Sequence, residues 1–104
     1  FRRLIKELNP RWVGISVLSS HVVSAHHIAA IAKQEVPDTR VCVGGVHAET
    51  HYSDMLANRF IDYVARGDGE ELLHELVRGD DPGSIAGLCY LENGRIRVNP
   101  MRPP

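Results

Sequence analysis

Three short apolar runs, each closed by small or polar residues and each followed by a helical pattern, constrain this chain more than any other feature. Residues 12–18 (WVGISVL) are almost continuously apolar and β-branched, without clean alternation, as a strand buried on both faces requires. Residues 41–43 form a second such run ending at Gly44-Gly45, and residues 61–65 a third ending at Arg66-Gly67-Asp68-Gly69. After the first run, Ser19 or Ser20 can cap a helix over about residues 22–36, in which Val22, Ala25, Ile28, Ala29 and Ala32 keep helical spacing until Pro37-Asp38 breaks it. A second helix is expected over about residues 48–59, with Ala48, Tyr52, Met55 and Leu56 on one stripe. In the third, Leu72, Leu73, Leu76 and Val77 form the buried face. There Glu70 and Glu71 suit the positive end, Arg78 suits the negative end, and Gly79 is the stop.

Strand–helix alternation of this kind implies right-handed crossovers and a parallel sheet with helices on both faces, an α/β, Rossmann-like (flavodoxin-like) fold. The rhythm then changes. Leu88 and Tyr90 alternate with smaller or polar residues, Asn93-Gly94 is a hairpin turn signal, and Ile96 and Val98 alternate on the return. Residues 1–79 therefore read as the α/β unit with a short leading helix over residues 1–8, residues 80–99 as a C-terminal β-hairpin, and residues 100–104 as an extended linker. A chain of 104 residues fits one domain. Phe1 in place of Met is read as the start of a fragment.

Twelve Lys and Arg against 13 Asp and Glu leave a net charge of −1, which provides no basic face for nucleic acid or anionic membrane. No apolar run approaches the roughly 20 residues of a membrane span. Cys42 and Cys89 lie in strand-like stretches, as buried thiols of a reducing compartment do, and a cytoplasmic location is expected. Two thiols are too few for an iron–sulfur cluster, which needs about four. In open α/β sheets ligands bind at the carboxyl ends of the strands. Here those ends are residues 16–20, 44–47 and 66–70, each carrying Gly, Ser or a polar residue, as close backbone approach to a ligand requires.

Several of these segments, in order, resemble the cobalamin-binding domain of cobalamin-dependent radical SAM enzymes. Asn9-Pro10-Arg11-Trp12-Val13-Gly14-Ile15-Ser16 is similar to the family's "PDVVGIS" strand. Val43-Gly44-Gly45-Val46-His47-Ala48 is similar to its "VGGPHAT" turn, with Val46 for Pro, and Ala65-Arg66-Gly67-Asp68-Gly69-Glu70 to "VRGEGE", with Asp68 for Glu. Ile85-Ala86-Gly87-Leu88 and Glu92-Asn93-Gly94 resemble the hairpin that leads to the radical SAM barrel.

The resemblance implies a cobalamin-binding module, non-catalytic by itself, within a parent enzyme that performs methyl transfer or related radical chemistry. Ser16-Val17-Leu18 matches the Ser-x-Leu segment lining the pocket for the nucleotide tail, with Ser19 and Ser20 following it. Gly44 and Gly45, with Val46 and His47, match the turn against which that tail packs, and Arg66, Gly67, Gly69 and Glu70 would lie at the rim near the corrin. S-adenosylmethionine and an iron–sulfur cluster would belong to a radical SAM domain of the parent, since this chain has no Cys-x-x-x-Cys-x-x-Cys signature. Nothing here matches the Asp-x-His-x-x-Gly motif by which some cobalamin proteins ligate cobalt. The resemblance also implies two more strands and a helix ahead of the segments seen here, so this chain is expected to lack the first strands of the full domain and to hold only part of the pocket.

Other readings compete. His47 and His51 would share a helix face, as a zinc site requires, but no third ligand accompanies them. His26 and His27 point in different directions, and His21 follows a strand end where it could face a ligand. Gly67-Asp68-Gly69-Glu70 lacks the third glycine of a dinucleotide turn, and its acidic residues would repel a pyrophosphate. A cofactor-free flavodoxin-like or receiver-like interaction domain is the alternative of another class. A third reading is a homo-oligomer formed through a bare edge of the residue 12–18 strand.

Overall fold

A computed structural model describes residues 11–16, 22–45, 50–67 and 69–101, and for residues 16 and 22–25 the backbone alone. The elements run β1 (Trp12–Ser16), α1 (Val22–Glu35), β2 (Arg40–Gly44), α2 (Tyr52–Leu56), β3 (Tyr63–Ala65), α3 (Gly69–Arg78), a 3₁₀ turn (Pro82–Ser84), β4 (Leu88–Glu92) and β5 (Arg95–Val98). All five strands form one sheet in the order β1-β2-β3-β4-β5. The first three are parallel, and β4 and β5 are antiparallel. The sheet is therefore mixed: β4 pairs with β3, placing Val64 opposite Cys89 and Ala65 opposite Leu88, so the hairpin continues the sheet. The expected leading helix over residues 1–8 lies outside the described residues.

Strand alternation sends successive side chains to two different cores. On one face Val41, Val43, Val64 and Cys89 pack with Ala29 and Ala32 of α1, Met55 and Leu56 of α2, and Ile61. On the other, Cys42, Ala65 and Leu88 pack with Leu72 and Leu76 of α3 and with Ile85. Helices thus cover both faces, as the alternation of the sequence implies. Each fully buried aliphatic side chain contributes about 1.5–3 kcal/mol, so these two clusters carry most of the stabilisation.

Local chemistry sets the element ends. α2 stops at Leu56, short of the expected residue 59, because the Asn58 side chain accepts the Phe60 N–H at 2.8 Å and turns the chain. Ile61 lies outside the β3 strand yet is buried in the core. Gly79, at φ +97°, ends α3 in a Schellman motif: its N–H donates to Leu76 O and the Asp80 N–H to Glu75 O, both at 3.1 Å. At the amino ends of the strands, Asp62 Oδ2 accepts the Val41 N–H at 2.8 Å and pairs with Lys33 Nζ at 2.6 Å. Lys33 Nζ also donates to Thr39 O at 2.6 Å, which ties α1 to β2 and β3 at the end opposite the glycine turns. No helix among the described residues is long and apolar enough to cross a membrane.

Candidate functional site

The face covered by α3 narrows in side-chain size along each strand. β1 runs from Trp12 to Gly14, β2 presents Cys42 and then Gly44, and β3 presents Tyr63 and then Ala65. Toward the amino ends the Trp12 and Tyr63 rings meet at 5.9 Å between centroids, and Tyr63 meets Tyr90 at 6.3 Å. Toward the carboxyl ends, among the described side chains on this face, nothing larger than a thiol stands on the strands beneath the start of α3. A wedge opens there, a cavity of about 520 Å³. Gly14 and Ile15 of β1, Cys42, Gly44 and Gly45 at the end of β2, and Ala65 and Gly67 at the end of β3 form its strand side. Gly69, Glu70 and Leu73 of α3 close the other side.

Two glycines shape the wedge in different ways. A Cβ on Gly14 would stand 2.9 Å from Leu73 Cδ2, so the bare backbone lets α3 settle against β1. A Cβ on Gly44 would meet Ala65 Cβ at 3.6 Å, an ordinary contact, so a larger side chain there would extend into the cavity without moving the sheet. The Cys42 thiol is pushed up from its ordinary 9.0 to about 12, first by burial and second by the Asp62 carboxylate. It is accordingly neutral at physiological pH, a weak S–H donor in an otherwise apolar wall. Glu70 is the one charged residue of the described lining, at the exposed start of α3.

Of the residues expected from the sequence, the cavity brings together Gly44, Gly45, Gly67, Gly69 and Glu70. Ser16 holds the register position opposite Gly44, with its backbone at the same strand end. Leu18, Ser19, Ser20, Val46 and His47 lie outside the described residues, as does His21. Arg66 is not in the lining. Its guanidinium lies 5.6 Å from the centroid of the Tyr52 ring, toward α2 and Cys89 on the opposite face. His51 Nδ1 is 2.8 Å from Thr50 Oγ1, and no cluster of three metal-ligating side chains occurs among the described residues.

The sequence reading missed Gly14, Ile15, Cys42, Ala65 and Leu73 as lining residues. Gly14 carried a usable signal, because a glycine inside an apolar strand marks close approach of another backbone or a ligand. Leu73 carried none, since its spacing is that of any buried helix position.

The chain matches the B12 binding domain family over residues 1–77. It is 38% identical over 106 residues to an uncharacterised methyltransferase of Pyrococcus horikoshii, covering 97% of this chain and 23% of that protein. It is 30% identical over 112 residues to the anaerobic magnesium-protoporphyrin IX monomethyl ester cyclase of Rubrivivax gelatinosus, covering 99% of this chain and 20% of that protein. Among solved structures, the radical S-adenosylmethionine methyltransferase TsrM of Kitasatospora setae, with cobalamin and an iron–sulfur cluster bound, superposes at a TM-score of 0.75. That match has 22% identity and covers 95% of this chain and 21% of the other. The chain thus spans about a fifth to a quarter of the length of these relatives.

Proposed function

Because this chain belongs to the B12 binding domain family, we propose that it holds cobalamin by its nucleotide tail within a longer cobalamin-dependent radical SAM polypeptide. The observation that carries the reading is the glycine-floored wedge between the strand ends and α3. Its volume, about 520 Å³, is that of a small-molecule site and leaves room for a flat aromatic base with its sugar. Gly44, Gly45 and Ala65 let a planar group lie against the sheet, while Cys42 and Leu73 offer it neutral, apolar walls. When cobalamin is bound, the base of its tail would exchange water for these walls, and Gly45 and Gly67 would face the corrin. Cobalamin supplies a cobalt centre able to carry a methyl group; this chain's residues anchor and orient it.

The relatives, methyltransferases and a cyclase by name, support methyl transfer or related radical chemistry in the whole polypeptide. S-adenosylmethionine and the iron–sulfur cluster belong, in this reading, to a radical SAM domain of the same polypeptide. The position of β1 at the sheet edge, with no strand beyond it among the described residues, supports a second reading in which that edge pairs with another copy.

Titration of hydroxocobalamin into the chain, followed by its visible spectrum, tests the proposal. Saturable binding is expected, weakened at least tenfold, about 1.4 kcal/mol, in Gly44→Phe, whose ring would occupy the wedge. Absence of saturable binding by this chain and by the longer polypeptide alike removes the cobalamin reading, whereas binding by the longer form alone means that the pocket needs the further strands. The solution mass of the same samples reads the second proposal: a mass that rises with concentration supports edge pairing, and a constant 11.6 kDa removes it.

A further inference from the structure

We propose that Met101 is a contact of the cobalamin macrocycle at the mouth of the wedge, and that Asn99 is the positioning residue that holds it there. The inference rests on the cobalamin reading above. Residues 99–101 do not leave the sheet as a free tail. The Asn99 N–H donates to Leu88 O at 2.9 Å, and the Gly87 N–H donates to Pro100 O at 2.8 Å. The Asn99 side chain donates from Nδ2 to both Pro82 O and Ile85 O, each at 2.7 Å. These bonds pin the segment to the turn before β4, and they lay Met101 over the loop that follows β3. A Cβ built on Gly67 would stand 3.1 Å from Met101 Cε, and one on Gly87 would stand 3.7 Å from its Sδ.

Gly67 is a wall of the wedge, and Met101 packs beside it and remains 40% exposed. The wedge admits a base and sugar and leaves the macrocycle outside, across the mouth. The apolar surface beside Gly67 that such a ring would cover is the Met101 side chain. A thioether suits that place: it is unbranched, polarisable and able to follow an irregular apolar edge. Without the Asn99 clamp the same side chain would be free to swing away from Gly67, and ligand binding would have to immobilise it at an entropic cost.

The chain's two methionines supply an internal control, because Met55 is 1% exposed and belongs to the other face. Dilute peroxide converts an accessible methionine to its sulfoxide, and peptide mass spectrometry follows each site separately. The reaction is run with and without saturating cyanocobalamin, with the bound fraction fixed by equilibrium dialysis. Ligand is expected to slow Met101 oxidation several-fold and leave Met55 unchanged. In Asn99→Ala at saturating ligand, Met101 is expected to lose most of that protection while Met55 stays protected, a separation that a general loss of structure would not produce. Met101→Asp is expected to weaken binding several-fold, and Met101→Leu to recover most of it. Bound ligand with Met101 oxidised at the free-chain rate overturns this proposal and leaves the cobalamin reading standing. Failure of both this chain and the longer polypeptide to bind cyanocobalamin overturns both.

Discussion

The two faces of this sheet are made by the same strands and have opposite designs. Toward α1 and α2 the strands present Val41, Val43 and Val64, with Val13 and Ile15 packed against them, and the space is filled. Toward α3 they present Gly14, Cys42, Gly44 and Ala65, and the space is left open at the carboxyl ends. With a side-chain period of two, a strand can build a stable core on one face and an open wedge on the other without compromise between them. Stability and binding should therefore respond to different substitutions. Leu56→Ala, on the filled face, removes a side chain that is 2% exposed and should cost about 2–5 kcal/mol in urea unfolding, a large part of the stability of a domain this size. Leu73→Ala removes a half-buried side chain that already borders empty space and should cost about 1 kcal/mol. Equal losses at the two positions would break the comparison.

Each face also carries one buried free thiol, and the two should part at alkaline pH. Cys42, on the wedge face, is raised to about 12 by burial and by Asp62. Cys89, on the filled face, is raised by burial, but a hydrogen bond from Arg66 opposes the shift. Above an ordinary thiol pKa of about 9 the unfolded chain has lost the Cys42 proton while the folded chain retains it. Unfolding then releases a proton, and stability falls by about 1.4 kcal/mol per pH unit until the folded thiol itself ionises near 12. Urea unfolding from about pH 8 to 10.5 should show this decline in the parent chain, with more relief from Cys42→Ala than from Cys89→Ala. A slope unchanged by Cys42→Ala would mean that the thiol is not buried as described.

What was legible in the sequence follows the same division. The apolar β-branched runs and the helical spacing after them declared three strands and their helices, because burial on both faces leaves that imprint locally. Gly44, Gly45, Gly67 and Gly69 were legible as turns at the carboxyl ends of the strands for the same local reason, and all four border the wedge. The attachment of the hairpin to β3 was not legible, because pairing Val64 with Cys89 joins residues far apart in the chain and leaves no local pattern. Nor was the direction of Arg66: a loop position shows that a guanidinium is near the strand ends, while its reach toward Tyr52 is decided by packing across the sheet. Cys42 and Leu73 became site residues through the gap between a strand and a helix, a distance that no spacing encodes.

The hairpin is where the contrast between faces can be separated from the helices that cover them. Register places Leu91 opposite Ile96 and Cys89 opposite Val98, so these residues continue the filled face beyond the cover of α1 and α2. Leu91, Ile96 and Val98 are 41–47% exposed, while Glu92, Arg95 and Arg97 occupy the reverse side. If face alone set the energetic role of a side chain, Ile96→Thr would resemble Leu56→Ala. If cover sets it, the cost should stay within about 0.5–1 kcal/mol, as for other exposed positions. The same limit applies to Glu92→Gln, whose partner Arg97 lies 3.1 Å away with both side chains about half exposed, where such a pair contributes about 0–1 kcal/mol. Urea midpoints within that limit for both variants would assign the stability of the filled face to α1 and α2. A loss above about 2 kcal/mol for Ile96→Thr would show instead that this strip is itself covered in solution, since only a buried aliphatic side chain costs that much to truncate.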